Sequence, residues 1–466
     1  MLEMLAVRNP RTGRADDPIP IIPSAELRET GERLRDAQPA WEAMGVQRRA
    51  DALGDFAAAL ERDRDAVIAA LVADTGRHTE SVLEVDAVLA SLERWRQLAV
   101  ELLDEEAPRL TALPTIAVRQ GWQAYPLVGV ISPWNFPLLL GLIDAIPALL
   151  AGSAVMVKPS EITPRFVAPL QRLVPPSVPL TVVVGGPETG AKLIDCVDAV
   201  CFTGSVPTGH AVAAAAAARL IPAYLELGGK DPAIVMASAD IDHAAAALLW
   251  GSTANAGQSC LSIERIYVDR AVFEPFVERL VANARDVPLA YPEPTDGVIG
   301  PIIAERQIGV IADHLEDAGR KGAVTHCGGE LEQLGGGTYV RPSVLTRVDH
   351  TMRVMTRETF GPLMPVMPFA STDEAVALAN STQYGLSGAV FAGSDAEALA
   401  VARRVEAGAI SINDAALTAV MHEGEKQAFR HSGLGGSRMG PASLRRFLRR
   451  RAYLVKSGTA PDPWWY

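Results

Sequence analysis

The residue with the greatest chemical potential is Cys260, in the segment NAGQSCLSIERIYV. It falls in a connection between a predicted helix and a predicted strand, where small neighbours let a backbone or a substrate come close. A cysteine thiolate is a strong nucleophile. Free cysteines are also common in packed cores, and one cysteine alone is more typical of packing than of catalysis. A catalytic role therefore requires support from other residues.

A carboxylate in the segment YLELGG gives some of that support. Strand alternation puts Leu225 and Leu227 on one face and Glu226 on the other, which we expect to border a cleft. Removal from water would raise the pKa of Glu226 toward that of a useful general base. The alternative is a solvated or paired carboxylate, which is the usual state of a glutamate in a strand.

The segment SPWNFP supplies a third polar group, Asn135. It follows a predicted parallel strand and precedes a helix, and ligands bind at that edge of open α/β sheets. An amide N–H fixed there could stabilise a developing oxyanion. Asparagine ahead of a helix is also a normal capping residue, so this alternative stays open.

These segments belong to a longer series of short motifs. The chain contains, in order, SPWNFPL, KPSE (158–161), FTGS (202–205), LELGGKDP, GQSC and ETFGP. In this order and at these gaps the series resembles the aldehyde dehydrogenase superfamily over nearly the whole chain. The resemblance implies an α/β fold with a Rossmann-like cofactor domain, an α/β catalytic domain and a small β oligomerisation arm. It also implies oxidation of an aldehyde to the carboxylic acid with NAD.

By the same resemblance, Cys260 is the nucleophile, Glu226 the base that activates water, and Asn135 with the Cys260 backbone N–H the oxyanion hole. The residue types suit a thiohemiacetal that becomes a thioester and is then hydrolysed. Two alternatives remain. A CoA-acylating dehydrogenase typically lacks the base, so Glu226 favours hydrolysis. A catalytically silent structural or binding protein is disfavoured because all three residues are present.

The resemblance also implies a set of cofactor contacts and no metal site. Lys158 and Glu161 would hold the adenosine ribose, and Ser205 would contact the pyrophosphate at a helix N-terminus. Glu358 would bind the nicotinamide ribose, with Phe360 near the ring. Because Glu161 would repel a 2′-phosphate, we expect NAD, with NADP possible but less favoured. Three further residues complete the predicted cofactor site: Trp134, Gly204 and Leu227.

The chain departs from the family pattern at two positions. Asp144 stands where many members carry a lysine, and the segment SGLGGSRMGP lacks a glutamate that usually follows SGLG. Those two groups have been proposed to relay protons in relatives. We therefore expect the proton of Glu226 to leave by a different route.

The predicted substrate is an aldehyde, and the segment 417–431 should border the entrance to its site. If Arg430 or His431 faced inward, a semialdehyde bearing a carboxylate would be favoured by charge-assisted pairing. If Phe429 and Leu139 dominated, an aliphatic or aromatic aldehyde would bind by burial. We expect the apolar alternative, since charged loop residues are usually solvated.

Residues that carry this chemistry need elements to hold them. The first hundred residues follow helical periodicity, with an amphipathic pair of helices from Leu53 to Val72. From Val128, short apolar runs alternate with helical segments, which predicts parallel sheets with crossover helices and a unit boundary near Leu227–Gly229. The predicted bounds are 1–105 and 125–228 for the NAD-binding domain, 229–451 for the catalytic domain, and 106–124 with 452–466 for the arm.

Composition limits the partners. The formal net charge is −12 and the pI about 5.3, which opposes binding to nucleic acid or to an anionic membrane. The cluster of arginines from 445 to 451 is local, and we interpret it as a solvated or interface surface. The N-terminus lacks a secretory signal pattern and the four cysteines suggest no disulfide framework, so we expect a cytoplasmic protein. Exposed strands at 108–125 and 452–456 predict a homodimer or homotetramer.

Overall fold

The computed structural model describes residues 3–16, 18–103 and 107–465 of the chain. The helices in these residues are α1 (Ser24–Ala43), α2 (Val46–Arg62), α3 (Arg64–Thr75), α4 (Thr79–Leu102), α5 (Pro137–Leu142), α6 (Ala145–Ala151), α7 (Val167–Leu173), α8 (Pro187–Cys196), α9 (Val206–Ala218), α10 (Ile241–Thr253), α11 (Phe273–Arg285), α12 (Glu305–Arg320), α13 (Arg353–Thr356), α14 (Thr372–Ala379), α15 (Asp395–Ala402) and α16 (Gly440–Arg445).

The strands in the same residues are β1 (Met4–Leu5), β2 (Ile19–Pro20), β3 (Arg109–Leu110), β4 (Ile116–Ala124), β5 (Leu127–Ile131), β6 (Ala154–Lys158), β7 (Leu180–Val182), β8 (Ala199–Thr203), β9 (Ala223–Glu226), β10 (Asp231–Val235), β11 (Ile263–Asp269), β12 (Val324–Cys327), β13 (Leu331–Leu334), β14 (Gly337–Val340), β15 (Ser343–Thr346), β16 (Leu363–Phe369), β17 (Ser387–Phe391), β18 (Ala409–Ile412), β19 (Gly433–Leu434) and β20 (Leu448–Lys456). The predicted boundary at 105/106 lies outside the described residues.

The first large sheet has the strand order β19-β9-β8-β5-β6-β7 among the described residues. The strands from β5 to β9 run parallel, and β19 is antiparallel to β9. Apolar helices cover both faces: α2, α3, α4, α6 and α7 pack on one, and α1, α8 and α9 on the other. This two-sided burial explains why β6 reads as the unbroken apolar run AVMV before Lys158.

The second large sheet has the order β12-β15-β16-β11-β10-β17-β18 in the described chain. Only β12 runs antiparallel to its neighbour within that sheet. Helices α10 and α11 pack on one face and α12, α14 and α15 on the other. The α/β fold class, with two sheets of mostly parallel strands, is confirmed.

The single helix predicted at 137–151 is two helices in the structure. The apolar stretch 137–151 reads as one buried helix in the sequence, but the structure breaks it into α5 and α6 around Ile143 and Asp144. A single helix would place Pro147 in its interior, where the missing N–H and the ring disrupt the hydrogen-bond ladder. In the observed arrangement Pro147 lies in the first turn of α6, where no intrahelical bond is lost.

A three-stranded antiparallel sheet of β20, β4 and β3 forms the arm. Strand β20 pairs with β4 from Leu448↔Ala124 to Lys456↔Ile116, so it begins earlier than the predicted strand 452–456. Residues 449–451 of the arginine cluster are therefore on a strand and exposed, whereas Arg446 is buried. The interpretation of the whole cluster as a solvated or interface surface is wrong for Arg446.

The last part of the predicted catalytic unit (229–451) returns to the first sheet. Strand β19 pairs with β9, and Leu444 and Phe447 are buried in the core beside α4 and α6. A sequence pattern could not reveal this return, because β19 has only two residues and its partner lies about 200 positions earlier. None of the described helices is long and apolar enough to cross a membrane.

Candidate active site

A cavity of about 660 Å³ lies at the carboxyl ends of the first sheet, where Ile131, Lys158, Thr203 and Glu226 are each the last residue of a strand. Parallel strands bring these ends to one edge. The cavity also contacts loops from the second unit. All the sequence-predicted site residues line it: Trp134, Asn135, Lys158, Glu161, Gly204, Ser205, Glu226, Leu227, Cys260, Glu358 and Phe360.

Three polar side chains mark one end of the cavity: Lys158, Glu161 and Ser205. The ammonium of Lys158 donates to Oε2 of Glu161 at 3.1 Å. Burial lowers the pKa of Lys158, and the charge of Glu161 partly opposes that change. Ser205 is the N-cap of α9, and its hydroxyl accepts the N–H of Thr208 at 3.4 Å.

This end of the cavity fits a dinucleotide. Glu161 and Glu358 offer carboxylate oxygens, which accept hydrogen bonds from ribose hydroxyls. The N-terminus of α9 offers the positive end of the helix dipole, and Ser205 there carries a hydroxyl, which together suit a pyrophosphate. Trp134 and Phe360 meet edge to face with ring centroids 5.4 Å apart, and both border the cavity.

The loop that carries Glu358 and Phe360 is fixed by a buried carboxylate. Glu264, on β11, accepts the N–H groups of Thr359 and Phe360, both at 2.7 Å. The carboxylate of Glu358 accepts the N–H of Gly229 at 3.0 Å. Burial raises the pKa of Glu358 to about 8, and the charge of Glu264 raises it further.

Asn135 follows β5, and its neighbours orient the whole residue. Its side-chain amide donates to the carbonyl of Gln258 at 3.0 Å, which leaves the second amide N–H available. Its own carbonyl accepts from Arg77 at 2.6 Å and from Asn255 at 3.0 Å. The N-cap of α5 is Phe136, so the capping role considered for Asn135 does not apply.

The loop before Cys260 has an unusual backbone. Asn255, Ala256 and Gly257 have φ values of 55°, 54° and 70°. Such a left-handed conformation is strained for a residue with a Cβ. A Cβ at Gly257 would lie 2.3 Å from the carbonyl carbon of Gly361, so this position requires glycine. The tight contact brings the Cys260 loop against the loop that carries Glu358.

The electrostatic surroundings of Cys260 disfavour the free thiolate. Burial, together with the charges of Glu226 and Glu358, raises the pKa of this thiol to about 12. The charges of Lys426 and Arg438 act in the opposite direction. Oε2 of Glu226 lies 4.0 Å from Nζ of Lys426, and both side chains are largely buried. The site thus holds a thiol, a carboxylate and two cations in one dry region.

Comparisons with known proteins decide the family. The sequence model of the aldehyde dehydrogenase family matches residues 2–453. The chain belongs to the aldehyde dehydrogenase family. It is therefore an NAD(P)-dependent oxidoreductase that acts on the aldehyde group, as the motif series predicts.

Two solved structures and one relative compared by sequence show how similar this dehydrogenase is to known proteins. The structure of PutA from Anabaena variabilis, provisionally named an aldehyde dehydrogenase, is 58% identical, covers 100% of both chains and gives a TM-score of 0.98. A betaine aldehyde dehydrogenase from Staphylococcus aureus in complex with NAD⁺ is 26% identical, with a TM-score of 0.91 over 99% of this chain and 93% of that one. A protein of Mycolicibacterium smegmatis, provisionally named succinate-semialdehyde dehydrogenase [NADP(+)], is 37% identical over 86% of this chain and 79% of its own.

The departure at Asp144 acquires a structural meaning in this aldehyde dehydrogenase. Its buried carboxylate accepts from Arg438 at 3.2 and 2.7 Å, and Arg446 pairs with the same group. Burial alone would raise the pKa of Asp144, but the two guanidinium groups outweigh it and hold that pKa below its usual range. Arg438 comes from the segment where a glutamate was expected. In this chain the two places where many relatives carry a lysine and a glutamate thus hold a carboxylate and a guanidinium, which pair with each other.

Sequence reasoning missed two residues of the dehydrogenase that support Asn135. Glu84, on α4, is fully buried and accepts the N–H groups of Leu138 and Leu139, both at 3.0 Å. It also pairs with Arg77 at 3.0 Å, and Arg77 holds the Asn135 carbonyl. A signal was present, since Glu84 lies on the helix stripe formed by the buried positions 81, 85 and 88.

The contacts of Arg430 disfavour the alternative in which this side chain binds a carboxylate-bearing substrate. The guanidinium of Arg430 donates to the carbonyls of Asn380 and Thr382 and pairs with Glu406. It is therefore engaged outside the cavity. His431 packs edge to face on His210 with ring centroids 5.7 Å apart, and Phe429 remains 45% exposed.

Proposed function

We propose that the cavity oxidises an aldehyde to the carboxylic acid with NAD, with Cys260 as nucleophile, Glu226 as general base and Asn135 as part of the oxyanion hole. The observation that supports this proposal is that the predicted chemical and cofactor residues, which are scattered from position 134 to position 360, border the same cavity. Residues that matched the motifs only by chance would not be expected to border one cavity.

In the first half-reaction the sulfur of Cys260 adds to the aldehyde carbon and the carbonyl oxygen becomes an oxyanion. The free N–H of the Asn135 amide and the backbone N–H of Cys260 are the donors for this oxygen. Because the Asn135 amide is already oriented by Gln258, little reorganisation is needed when the charge develops.

Bound NAD would supply the acceptor for the hydride that leaves the thiohemiacetal. The residues of the chain orient it: Glu358 and Glu161 accept from the ribose hydroxyls, and Ser205 with the N-terminus of α9 faces the pyrophosphate. Trp134, Gly204, Leu227 and Phe360 line the intervening walls.

In the second half-reaction water resolves the thioester. Glu226, at the end of β9, takes a proton from the water and the resulting hydroxide adds to the carbonyl carbon. The C–S bond then breaks, the acid leaves, and the proton passes from Glu226 to sulfur, which regenerates the thiol of Cys260. A CoA thiol could replace water only if it reached the thioester first. The presence of the base beside Cys260 favours the acid as product.

The proposed cofactor is NAD, on the basis of Glu161. Its carboxylate accepts from Lys158 and lies beside the cavity, where a 2′-phosphate would meet negative charge. The relatives carry names or ligands with either cofactor, NADP for the Mycolicibacterium protein and NAD⁺ for the Staphylococcus one. Direct comparison of the two cofactors with this enzyme is therefore needed.

We further propose an apolar aldehyde as substrate, because Arg430 is engaged elsewhere and the segment 417–431 keeps apolar side chains, Phe429 and Met421, exposed. A panel of hexanal, benzaldehyde and succinate semialdehyde at equal concentration tests this choice. A clear preference for succinate semialdehyde would reverse it.

The predicted arm has exposed Tyr453, Leu454 and Val455 on β20, and we propose that it joins two or four copies of the chain. A mass of 49.5 kDa by light scattering, which is that of one chain, would contradict this proposal.

The decisive test of the proposed reaction is a pair of variants. Cys260→Ala should lose at least about 10³-fold in kcat and keep its affinity for NAD, because the thiol is not needed to hold the dinucleotide. Glu226→Gln should give a pre-steady-state burst of NADH followed by slow turnover. Retained turnover in Cys260→Ala, or release of acyl-CoA instead of free acid by the unmodified enzyme, would overturn the proposal.

A further inference from the structure

Lys426 is a buried cation for which the family motifs give no role. Its side chain is 7% exposed, and its ammonium lies 4.0 Å from Oε2 of Glu226, beyond hydrogen-bond distance. Within the described ranges, Nζ of Lys426 makes no hydrogen bond. Buried charges usually carry hydrogen-bonded partners. Because this ammonium donates no hydrogen bond within those ranges, it acts on its neighbours mainly through its charge.

The position of Lys426 is fixed by backbone contacts. Its N–H donates to the hydroxyl of Ser437 at 3.0 Å, and that hydroxyl donates to the carbonyl of Met439 at 3.0 Å. The neighbouring Glu425 accepts the N–H of Ala442 at 2.8 Å. The entrance segment is thus attached to the chain that leads into α16, and Lys426 cannot leave the site without breaking these bonds.

Titratable groups from four parts of the chain surround the thiol. Glu226, at the end of β9, and Glu358, in the loop before β16, border the same cavity as Cys260. Lys426, between β18 and β19, lies 4.0 Å from Glu226, and the charges of Lys426 and of Arg438, before α16, both act on the thiol. Arg438 is already paired with Asp144. Lys426 is therefore the cation in this group that pairs with a residue of the proposed reaction, Glu226 at 4.0 Å, and not with Asp144.

Resting on the proposed function, we propose that Lys426 is a positioning residue that favours the thiolate of Cys260 and holds the carboxylate of Glu226 toward it. When Cys260 ionises, the S–H bond breaks, the proton goes to solvent and the electron pair stays on sulfur. The nearby ammonium stabilises that negative charge. The same ammonium offsets the repulsion between the thiolate and the Glu226 carboxylate.

The test measures the thiol directly and needs no substrate. Iodoacetamide alkylates a thiolate, with iodide as the leaving group, so its rate between pH 6 and 10 follows the ionisation of the thiol. Alkylation at Cys260 is counted by peptide mass spectrometry, with Cys260→Ala as the blank for the other cysteines. In Lys426→Met the rising limb should move up by about one pH unit, so that alkylation at a fixed pH slows about tenfold.

Two variants complete the design. Lys426→Arg keeps the charge and should return the profile toward that of the unmodified enzyme, which loss of packing alone would not predict. Lys321→Met, at the exposed end of α12, is the matched control and should leave the profile unchanged. If Lys426→Met does not fold, Lys426→Gln replaces it, and failure of both neutral variants to fold while Lys426→Arg alkylates normally also supports a requirement for the charge.

Coincident profiles for folded Lys426→Met and the unmodified enzyme would overturn the proposal. A variant that changed only KM for aldehydes bearing a carboxylate, with the alkylation profile intact, would do the same and would make Lys426 a substrate anchor. Failure of the proposed reaction is a separate result, because it is read from turnover by Cys260→Ala and not from alkylation.

Discussion

The cofactor side of the cavity, formed by Lys158, Glu161 and Ser205, is held by local contacts, whereas the contacts of the thiol side join distant parts of the chain. Lys158 meets Glu161 three positions later, and Ser205 caps the helix that begins at the next residue. By contrast, the Asn135 amide reaches Gln258 over 123 positions, and Asp144 reaches Arg438 over 294. The cofactor side is built by strand ends, and the thiol side by tertiary contacts.

This difference has consequences for substitutions. Local contacts between partly exposed groups contribute little to folding, so changes on the cofactor side should alter ligand preference and leave stability nearly intact. Buried charges on the thiol side are costly when one partner is removed. Changes there should therefore affect stability and catalysis together.

The largest expected effect is at Arg438. Arg438→Met leaves the buried carboxylate of Asp144 with Arg446 as its remaining partner, and we expect a loss of about 3 kcal/mol in the free energy of unfolding. Urea denaturation at pH 7 measures this loss. The exposed pair of Arg404 and Asp373 supplies the control, because Arg404→Met should cost less than about 1 kcal/mol.

A double-mutant cycle identifies the cause. If the contact between Arg438 and Asp144 is responsible, the losses from Arg438→Met and Asp144→Asn should not add in the double variant, with a coupling energy of at least about 1 kcal/mol. Losses that add within about 0.5 kcal/mol would mean that packing, and not this ion pair, holds this part of the thiol side together.

The next effect concerns catalysis. Asn135→Ala removes the amide that faces the proposed oxyanion, and we expect kcat to fall by about 10²- to 10³-fold. The affinity for NAD should change little, because the local contacts on the cofactor side are untouched. Stopped-flow measurement of NADH formation and a fluorescence titration with NAD give the two numbers. A large loss of NAD affinity with normal kcat would invert the proposed division between the two sides.

The same comparison explains what could be predicted from the sequence. Strand runs such as AVMVK and the polar residues that follow them were correctly located, because parallel strands place their ends at one edge. The left-handed turn before Cys260 was not predicted, since Asn255 and Ala256 give no sign of positive φ values. Their conformation is imposed by contacts with Asn135, Gln258 and the loop at Gly361.

The sequence did not predict which groups pair with the buried charged residues. Arg77, Glu84, Arg438 and Lys426 all border or support the thiol side, but their partners are remote in sequence. Periodicity identifies a charged residue on an apolar stripe, as at Glu84, and cannot say which group neutralises it. The resemblance to the family supplied the roles of Cys260 and Glu226 but not these partners, because its motifs do not include them.

A pH-dependent contribution to stability should also come from the thiol side. Asp231 is buried at the start of β10 and accepts from Ser387, and burial raises its pKa to about 7. The folded pKa is above the unfolded value of about 3.9, so this group stabilises the fold fully below pH 4. That contribution is lost as the pH rises from about 4 to about 7, and about 3 kcal/mol of it falls between pH 5 and pH 8.

Asp231→Asn isolates this contribution. Other groups titrate in the same range, among them Glu358 with its raised pKa, so the useful quantity is the difference between the two proteins. The unfolding free energy of the variant relative to the unmodified enzyme should be higher at pH 8 than at pH 5. Parallel curves from pH 5 to 8 would show that Asp231 does not titrate in that range.

The smallest expected effect is on the cofactor side. Glu161→Gln keeps an acceptor for the ribose hydroxyls and removes the charge that would repel a 2′-phosphate. Since Glu161 is partly exposed and its charge is screened by solvent and by Lys158, we expect the ratio of kcat/KM for NADP to that for NAD to rise by only about tenfold. The buried ammonium of Lys158 keeps a hydrogen-bond acceptor in Glu161→Gln, so we expect the loss of stability to stay below about 1 kcal/mol. Glu316→Gln, on the exposed surface of α12, is the control for a lost negative charge far from the cavity. If Glu161→Gln instead destabilised the protein as strongly as Arg438→Met, the cofactor side would be held by buried charge in the same way as the thiol side, and the contrast between them would fail.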